Sequence, residues 1–244
     1  MELAGKTAVV TGASSGFGAA TVRKLREAGV RVVGGARRVE RIDADVALRL
    51  DVTDEESCVD FVEGAVEALG GGIDILYNNA GLALGRYPFT ESTPEDEATV
   101  LHTNVDGAIR ITRLALPEVR DEGHILFTGS IAGRQAYQNA AVYVAAKFAL
   151  RGFVYGLRED LLGRPIRIST IDPGLAETEF SLVRFKGDEK LAREPYEGVE
   201  PLTADDVADC VLFALTRPLH VNIDEMVIKA LAQSSGGRIL RRDT

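Results

Sequence analysis

Seven short apolar runs, each bounded by turn residues, alternate along the 244-residue chain with segments of helical periodicity. The runs lie at residues 7–10, 31–34, 47–50, 73–77, 124–128, 166–171 and 226–228. Strands that alternate with helices indicate right-handed βαβ crossovers and a parallel sheet with helices on both faces. A chain of this length with 45% hydrophobic residues can bury the core of one such domain. We therefore predict an α/β fold, a doubly wound parallel sheet of about seven strands, as a single domain over residues 1–244.

A glycine-rich turn follows the first predicted strand directly and reads Thr11-Gly12-Ala13-Ser14-Ser15-Gly16-Phe17-Gly18. A helical pattern comes next, so backbone N–H groups and the positive end of a helix would face an anion such as a pyrophosphate. The spacing is G-x3-G-x-G rather than G-x-G-x-x-G, and such a triplet alone is equally consistent with a tight turn. At the first βα junction of an alternating chain it favours a dinucleotide and a Rossmann-like fold.

A tyrosine and a lysine one helical turn apart, Tyr143 and Lys147, follow Ser130 by thirteen and seventeen residues. On a helix, this spacing places a phenol and an ammonium on one face. A cation about 4 Å from a phenol favours the phenolate by up to roughly 4 kcal/mol, or about three pK units. The pair therefore indicates a general acid–base site. On its own, the same spacing also suits a partly buried Tyr and a Lys with its charge in solvent on an ordinary amphipathic helix.

The chain resembles the short-chain dehydrogenases/reductases in several motifs that occur in the order and spacing of that family. These motifs are Thr11 to Gly18, Asn78-Asn79-Ala80-Gly81, Asn104, Ser130, Tyr143 with Lys147, and Asp172-Pro173-Gly174 with Thr178. The resemblance covers essentially the whole chain. Residues 79–85, 183–188 and 220–223 are similar to the subgroup of NADP-dependent 3-hydroxy acid dehydrogenases that also oxidise serine or allo-threonine.

The resemblance implies four catalytic residues. Tyr143 would donate the proton to the developing alkoxide, and Ser130 would polarise the carbonyl oxygen. Lys147 would lower the Tyr143 pKa and bind the nicotinamide ribose. Asn104 would hold a water that links Lys147 to solvent. Taken singly, Asn104 could be a satisfied amide inside a helix, and Ser130 a turn or cap residue.

The resemblance also implies a set of cofactor contacts along the cleft. Asp51 and the backbone of Val52 would contact adenine, although Asp51 could instead cap a helix, a role that suits Thr53 or Asp54 better. Asn79 would mainly steady the central sheet, and Thr178 would contact the nicotinamide carboxamide. The full set is Gly12, Ser14, Ser15, Gly16, Phe17, Gly18, Arg37, Arg38, Asp51, Val52, Asn79, Ala80, Gly81, Tyr143, Lys147, Pro173, Gly174 and Thr178.

The residues after the second predicted strand predict the choice of cofactor. An NAD site places an acidic residue there for the ribose 2′-hydroxyl, but this chain has Ala36-Arg37-Arg38. A guanidinium suits a 2′-phosphate, which a carboxylate at that point would repel. Glu40 lies beyond the strand end and is more simply a surface or helix-start residue. We therefore predict NADP over NAD.

Two segments between the predicted elements are unusual. Residues 38–47 are too few for a full crossover helix, so we expect at most a turn or two there. Residues 175–200 are polar, with Gly187, Pro195 and Gly198 and no sustained period, and we predict a substrate lid. A surface insertion or a subunit contact is the alternative. Candidate cations for a substrate carboxylate are Arg184, Lys186 and Arg134.

Charge and composition exclude several function classes. With 28 Lys plus Arg against 37 Asp plus Glu, the net charge of −9 argues against general binding to nucleic acid or anionic membranes. The two Cys and three His have no metal-site spacing, so we predict no metal. No signal sequence and no run of about 18 uncharged apolar residues occurs, which predicts a soluble cytoplasmic protein. Small residues around 94–119 and 142–162, with the resemblance, predict a homodimer or homotetramer.

The predicted function is NADP-dependent hydride transfer between the nicotinamide and a secondary alcohol or ketone, with a 3-hydroxy acid or serine-like compound as the best candidate substrate. A reductase of neutral ketones, aldehydes or steroid-like alcohols is an alternative. A nucleotide-binding regulatory protein without turnover is another. The complete set of catalytic residues argues against the latter.

Overall fold

All seven predicted strands form, and they lie parallel in one sheet. The structure is a computed structural model and describes residues 2–242. The strands are β1 (Thr7–Thr11), β2 (Arg31–Ala36), β3 (Val46–Arg49), β4 (Ile73–Asn78), β5 (Val119–Thr128), β6 (Arg167–Pro173) and β7 (Glu225–Ile228). Their order across the sheet is β3-β2-β1-β4-β5-β6-β7, which confirms the doubly wound parallel sheet.

Helices cover both faces of the sheet. They are α1 (Gly16–Glu27), α2 (Glu55–Leu69), α3 (Pro94–Leu101), α4 (Gly107–Ala115), α5 (Ala141–Asp160), α6 (Phe180–Arg184), α7 (Glu189–Arg193) and α8 (Ala204–Leu215). Helices α1 and α8 pack on one face, while α2, α4 and α5 pack on the other. Within β4, Leu76 joins the α2/α4/α5 core, and its neighbours Ile75 and Tyr77 join the opposite core. Because both faces are buried, the strand reads as a continuous apolar run.

Strand order creates the crevice in which ligands bind. β1 and β4 are neighbours, and the chain proceeds from β1 towards β3 on one side and from β4 towards β7 on the other. At such a switch point the loops at the carboxyl ends of the strands separate and leave a cleft. The glycine-rich turn, residues 79–81 and Ser130 follow β1, β4 and β5, so all of them reach this cleft.

Two connections test the sequence predictions. Between β2 and β3 there is only a 3-10 turn, Val39–Arg41, as predicted, and Ile42 and Ala44 pack against the core where a helix would otherwise lie. Residues 175–200 are more regular than predicted, since they contain α6, α7 and a 3-10 turn, Glu194–Tyr196. Each of these helices has only five residues, which is too short to produce a period in the sequence.

No helix within residues 2–242 combines the length and apolar character needed to cross a lipid bilayer.

Candidate active site

The glycine-rich turn between β1 and α1 is shaped by close contacts that only glycine allows. A Cβ atom at Gly18 would lie 2.3 Å from the carbonyl oxygen of Gly12 and 2.6 Å from Asn79 Nδ2. Gly12 and Gly16 adopt positive φ angles of 67° and 53°. Gly18 therefore packs beneath the turn and does not line the cleft, in contrast to the predicted direct cofactor contact.

Helix α1 presents a bare N-terminus to the cleft. Its N-cap residue, Ser15, has an extended backbone and makes no capping hydrogen bond through its side chain, and the first turn contains no acidic residue. The first N–H groups of the helix are thus open to an anion. Because Ser15 and Gly16 line the cleft, this end of the cavity fits a pyrophosphate.

One cavity of about 470 Å³ holds nearly all the predicted site residues. It extends from the arginines after β2, past the glycine-rich turn, to Ser130 and Tyr143. Every predicted cofactor contact except Gly18 lines it, as do the four predicted catalytic residues. Those lining residues are Gly12, Ser14, Ser15, Gly16, Phe17, Arg37, Arg38, Asp51, Val52, Asn79, Ala80, Gly81, Asn104, Ser130, Tyr143, Lys147, Pro173, Gly174 and Thr178.

Asn79 ties the strand ends together at the centre of the cleft. Its Nδ2 donates to the carbonyl oxygens of Thr11 at 3.0 Å and Gly12 at 3.3 Å. Its Oδ1 accepts a hydrogen bond from Thr128 Oγ1 at 2.9 Å. The side chain thus joins the ends of β1, β4 and β5, the steadying role that the resemblance implied.

Ser130 and Lys147 each make one backbone contact and keep further hydrogen-bonding capacity. Ser130 Oγ accepts from the N–H of Ala132 at 3.0 Å and caps the 3-10 turn after β5. Its O–H faces the Tyr143 hydroxyl, and this hydrogen bond lowers the pKa of the tyrosine. Lys147 Nζ donates to the carbonyl oxygen of Thr128 at 2.9 Å, and two of its three protons remain for other acceptors.

The pKa values of Tyr143 and Lys147 depart from the sequence expectation. Burial raises the pKa of Tyr143 above its usual value, the neighbouring Tyr137 raises it further, and Ser130 and the charge of Arg184 lower it. Burial also lowers the pKa of Lys147 to about 8, against the charge of Asp172. Lys147 Nζ lies 5.8 Å from the centre of the Tyr143 ring and faces Thr128. Among residues 2–242, the cation that lowers the Tyr143 pKa is Arg184, and the acidifying role of Lys147 stays a prediction.

Asn104 occupies a π-helical turn, His102–Asp106, between α3 and α4. Its Nδ2 donates to the carbonyl oxygens of Leu82 at 2.6 Å and Val100 at 2.8 Å, but its buried Oδ1 has no partner. A Cβ atom at Gly81 would lie 2.8 Å from this oxygen and 3.7 Å from Lys147 Nζ. Buried acceptors are seldom unpaired, so Asn104 is not a satisfied helix-interior amide. The arrangement suits an acceptor for a water near Lys147.

At the adenosine end, charged side chains surround the cleft. Arg37 is exposed on its rim, whereas Arg38 Nη2 donates to Ser15 Oγ at 3.2 Å and to Glu179 Oε2 at 2.9 Å. Arg41 also pairs with Glu179. Neither Arg41 nor Glu179 was predicted, because they lie 138 positions apart and no local motif connects them. Glu40 does not line the cavity, in agreement with the surface role predicted for it.

Asp51 and Val52 form the wall of the cleft below the arginines. The Asp51 carboxylate accepts hydrogen bonds from Thr53 N at 3.0 Å and Thr53 Oγ1 at 2.7 Å. Helix α2 is capped instead by Asp54, which accepts from the N–H of Ser57 at 3.0 Å. The capping alternative for Asp51 is therefore wrong.

Arg184 lies beside Tyr143. Its Nε donates to the carbonyl oxygen of Gly85 at 2.9 Å and its Nη1 to Tyr137 Oη at 3.3 Å. Its guanidinium carbon lies 5.7 Å from the centre of the Tyr143 ring. The side chain borders a second cavity next to the cleft, and its buried Nη2 has no hydrogen-bond partner. An unpaired buried guanidinium nitrogen is a strong site for an anion.

The other two candidate cations are engaged elsewhere. Arg134 Nε donates to the buried Asp172 carboxylate at 2.7 Å, and its Nη2 lies 2.6 Å from Glu225 Oε2, an ion-pair contact without hydrogen-bond geometry. Lys186 Nζ pairs with Asp96 Oδ2 at 2.7 Å on the exposed surface. Arg134 and Lys186 are each paired with carboxylates, whereas Arg184 has no ion pair among residues 2–242, so Arg184 is the strongest of the three candidates.

The chain is similar over nearly its whole length to known dehydrogenases. The sequence profile of the short chain dehydrogenase family matches residues 6–188. A serine 3-dehydrogenase of Agrobacterium fabrum is 39% identical over 250 residues, covering 98% of this chain and 99% of the relative. An NADP-dependent 3-hydroxy acid dehydrogenase of Schizosaccharomyces pombe is 40% identical over 259 residues, covering 99% of this chain and 98% of the relative. The closed form of a serine dehydrogenase complexed with NADP+ superposes with a TM-score of 0.88 at 37% identity, covering 97% of this chain and 100% of that one.

Proposed function

The chain belongs to the short chain dehydrogenase family, and from this premise we propose that it is an NADP-dependent dehydrogenase of 3-hydroxy acids or serine-like compounds. The observation that carries the substrate class is the buried Arg184, whose guanidinium carbon lies 5.7 Å from the centre of the Tyr143 ring and whose Nη2 has no hydrogen-bond partner among residues 2–242. A carboxylate on this guanidinium would place a nearby hydroxyl-bearing carbon at the tyrosine. The relatives named for serine and 3-hydroxy acids support the same class.

NADP, when bound, supplies or accepts the hydride. The groups that support its binding are the bare N-terminus of α1 for the pyrophosphate and the Arg37/Arg38 pair for the 2′-phosphate. Lys147 keeps two protons for hydroxyls of the nicotinamide ribose. Thr178 lines the cleft and is our candidate contact for the carboxamide.

The proton chemistry falls to Tyr143 and Ser130. A raised pKa keeps the Tyr143 hydroxyl protonated near neutral pH, the form that gives a proton to the alkoxide when a carbonyl is reduced. Oxidation of the alcohol runs this step in reverse, and the deprotonated tyrosine accepts the proton of the substrate hydroxyl. The O–H of Ser130, which contacts Tyr143 in the protein alone, would donate to the same oxygen of a bound substrate and stabilise its negative charge. Lys147, with a pKa of about 8, together with a water on Asn104 Oδ1, would return the proton from solvent.

We also propose that residues 175–200 form a lid within a single domain that spans residues 1–244. Contacts that hold this segment over the site include the hydrogen bond from Gly85 N to the carbonyl oxygen of Arg184 at 2.8 Å and the ion pair of Glu179 with Arg38. A lid that carries the carboxylate ligand would couple substrate binding to closure and exclude water.

We further propose self-association through helix α5, as a homodimer or homotetramer. Phe148 and Tyr155 are 44% and 42% exposed on that helix, and a Cβ atom at Gly152 or Gly156 would meet no atom within 4 Å. Large exposed apolar side chains beside small residues suit a packed interface. Light scattering in solution would test this; the cytoplasmic location stays a prediction.

The function is tested by measuring kcat/KM with NADP+ for L-serine, allo-threonine and 3-hydroxy acids, and for neutral alcohols that lack the carboxylate. We expect acids to exceed matched neutral alcohols by at least about tenfold, as one charge-assisted contact implies. Equal or greater kcat/KM for neutral alcohols would favour the neutral-carbonyl alternative.

A further inference from the structure

Glu179 bridges the lid to the adenosine end of the cleft. It immediately precedes α6, and its carboxylate pairs with two arginines from the 3-10 turn region after β2. Arg38 Nη2 donates to Oε2 at 2.9 Å, and Arg41 Nη1 donates to the same oxygen at 3.3 Å. Arg41 Nη2 donates to the other oxygen, Oε1. Both oxygens of Glu179 are thus bound by guanidinium groups.

The same guanidinium of Arg38 borders the cofactor cavity. Its Nη2 also donates to Ser15 Oγ at 3.2 Å, next to the bare N-terminus of α1. Glu179 therefore accepts a hydrogen bond from Arg38 Nη2, which lies between the pyrophosphate end of the cleft and the end of β2. Hydrogen bonding from Arg41, followed by that from Arg38, lowers the pKa of Glu179, so the carboxylate is charged near neutral pH.

A carboxylate and a phosphate both bind the same pair of N–H donors on a guanidinium group. When a 2′-phosphate binds Arg38, the Glu179 carboxylate must share that donor or leave, and at short range the two anions repel each other. A ribose 2′-hydroxyl adds no charge and can itself donate to a carboxylate. Glu179 would therefore compete with the 2′-phosphate of NADP but not with the 2′-hydroxyl of NAD.

We propose that Glu179 is a cofactor-specificity residue that competes with the 2′-phosphate of NADP for Arg38 and Arg41. Its displacement releases the start of the lid, near Thr178, from the end of β2. The inference rests on the assignment of Arg38 to the 2′-phosphate in the proposed function. Glu179 then weakens NADP binding and narrows the preference for NADP over NAD.

The expected change in the Kd for NADP+ follows from the partial exposure of the three charged side chains. The side chains of Arg38, Arg41 and Glu179 are 43%, 43% and 33% exposed. One pair of this kind changes an equilibrium by about 1.4- to 5-fold. Loss of both pairs through Glu179→Gln is expected to lower the Kd for NADP+ by about 2- to 25-fold. The Kd for NAD+ is expected to stay equal or rise.

Isothermal titration of NADP+ and NAD+ tests the inference. The variants are Glu179→Gln, the matched control Glu177→Gln, and Arg38→Ala. Glu177 is an exposed lid carboxylate two positions away with no contact to the arginines, so its variant controls for lost charge alone. We expect tighter NADP+ binding only in Glu179→Gln, with an advantage that shrinks as salt rises from about 0.05 to 0.5 M.

Three outcomes would overturn the inference: unchanged NADP+ binding in Glu179→Gln, weaker binding, or an equal gain for NAD+. Weaker binding would mean that Glu179 instead holds the arginines in place for the phosphate. The Arg38→Ala variant distinguishes a failure of the inference about Glu179 from a failure of the assignment of Arg38 to the 2′-phosphate. If Arg38→Ala leaves the Kd for NADP+ unchanged, Arg38 does not bind the 2′-phosphate, and both the assignment and the inference fail.

Discussion

Replacing Arg184 by alanine removes the one candidate carboxylate ligand that lies beside Tyr143. Only 9% of the residue is exposed, and its Nη2 has no partner. A hydrogen bond between charged groups contributes about 1.5–3 kcal/mol. We therefore expect kcat/KM for 3-hydroxy acids to fall about 10- to 150-fold.

The same change has a second effect that does not depend on the carboxylate. Because the charge of Arg184 lowers the pKa of Tyr143, the alanine variant raises that pKa further and should slow the oxidation of every substrate, since oxidation needs the deprotonated phenol as base. The change in kcat/KM for neutral alcohols measures this shared effect. The effect specific to acids is measured by the ratio of kcat/KM for an acid to kcat/KM for a matched neutral alcohol. That ratio should fall by about tenfold or more.

Steady-state kinetics over pH 6–10 would measure both effects, with Arg184→Lys and Arg193→Ala as controls. Arg184→Lys keeps the charge and should restore part of the ratio, since a lysine lacks the planar fork. Arg193 lies on α7, is 78% exposed in its side chain and pairs with Glu189, so its variant should behave as wild type. An unchanged ratio in Arg184→Ala, with or without a lower overall rate, would refute the carboxylate assignment.

Three further predictions concern the acid, the core and the glycine-rich turn. Tyr143→Phe keeps the ring but removes the proton donor, so kcat should fall by at least about 10²-fold while the Kd for NADPH, measured by its fluorescence, changes little; substantial turnover would identify another acid. Burial lowers the pKa of His124 to about 3, below the unfolded value of about 6.5, so the unfolded chain takes up the proton first and stability is lost as pH falls from about 6.5 to 3. Urea unfolding should therefore show about 2 kcal/mol more loss between pH 7 and 5 in wild type than in His124→Gln, and an equal loss would contradict this reasoning. Gly18→Ala forces a methyl group to 2.3 Å from the Gly12 oxygen and should destabilise the fold by about 1–3 kcal/mol and weaken NADP binding.

Much of the fold could be predicted because it is encoded locally. Apolar runs, turn residues and helical periods each depend on a few neighbouring residues, so all seven strands and the short connection after β2 were predicted. The π-helical turn at Asn104 was not predictable, because one extra residue in a helix leaves no mark on an apolar pattern. The helices α6 and α7 were not predicted because each has only five residues, too few to produce a period in the sequence.

The sequence by itself determined which groups meet in the cleft: parallel strands bring their carboxyl ends to one edge, so motifs that follow β1, β4, β5 and β6 converge whatever their separation along the chain. Tertiary structure alone decided what each charge does there. The tertiary structure paired Arg134 with Asp172 and Glu225 and joined Glu179 to the arginines after β2. It placed Arg184 beside Tyr143 and left its Nη2 without a hydrogen-bond partner among residues 2–242. It also reversed the expected shift of the Tyr143 pKa. Desolvation and ion pairing depend on which atoms surround a group in space, and that is set by the packing of distant segments rather than by spacing along the chain.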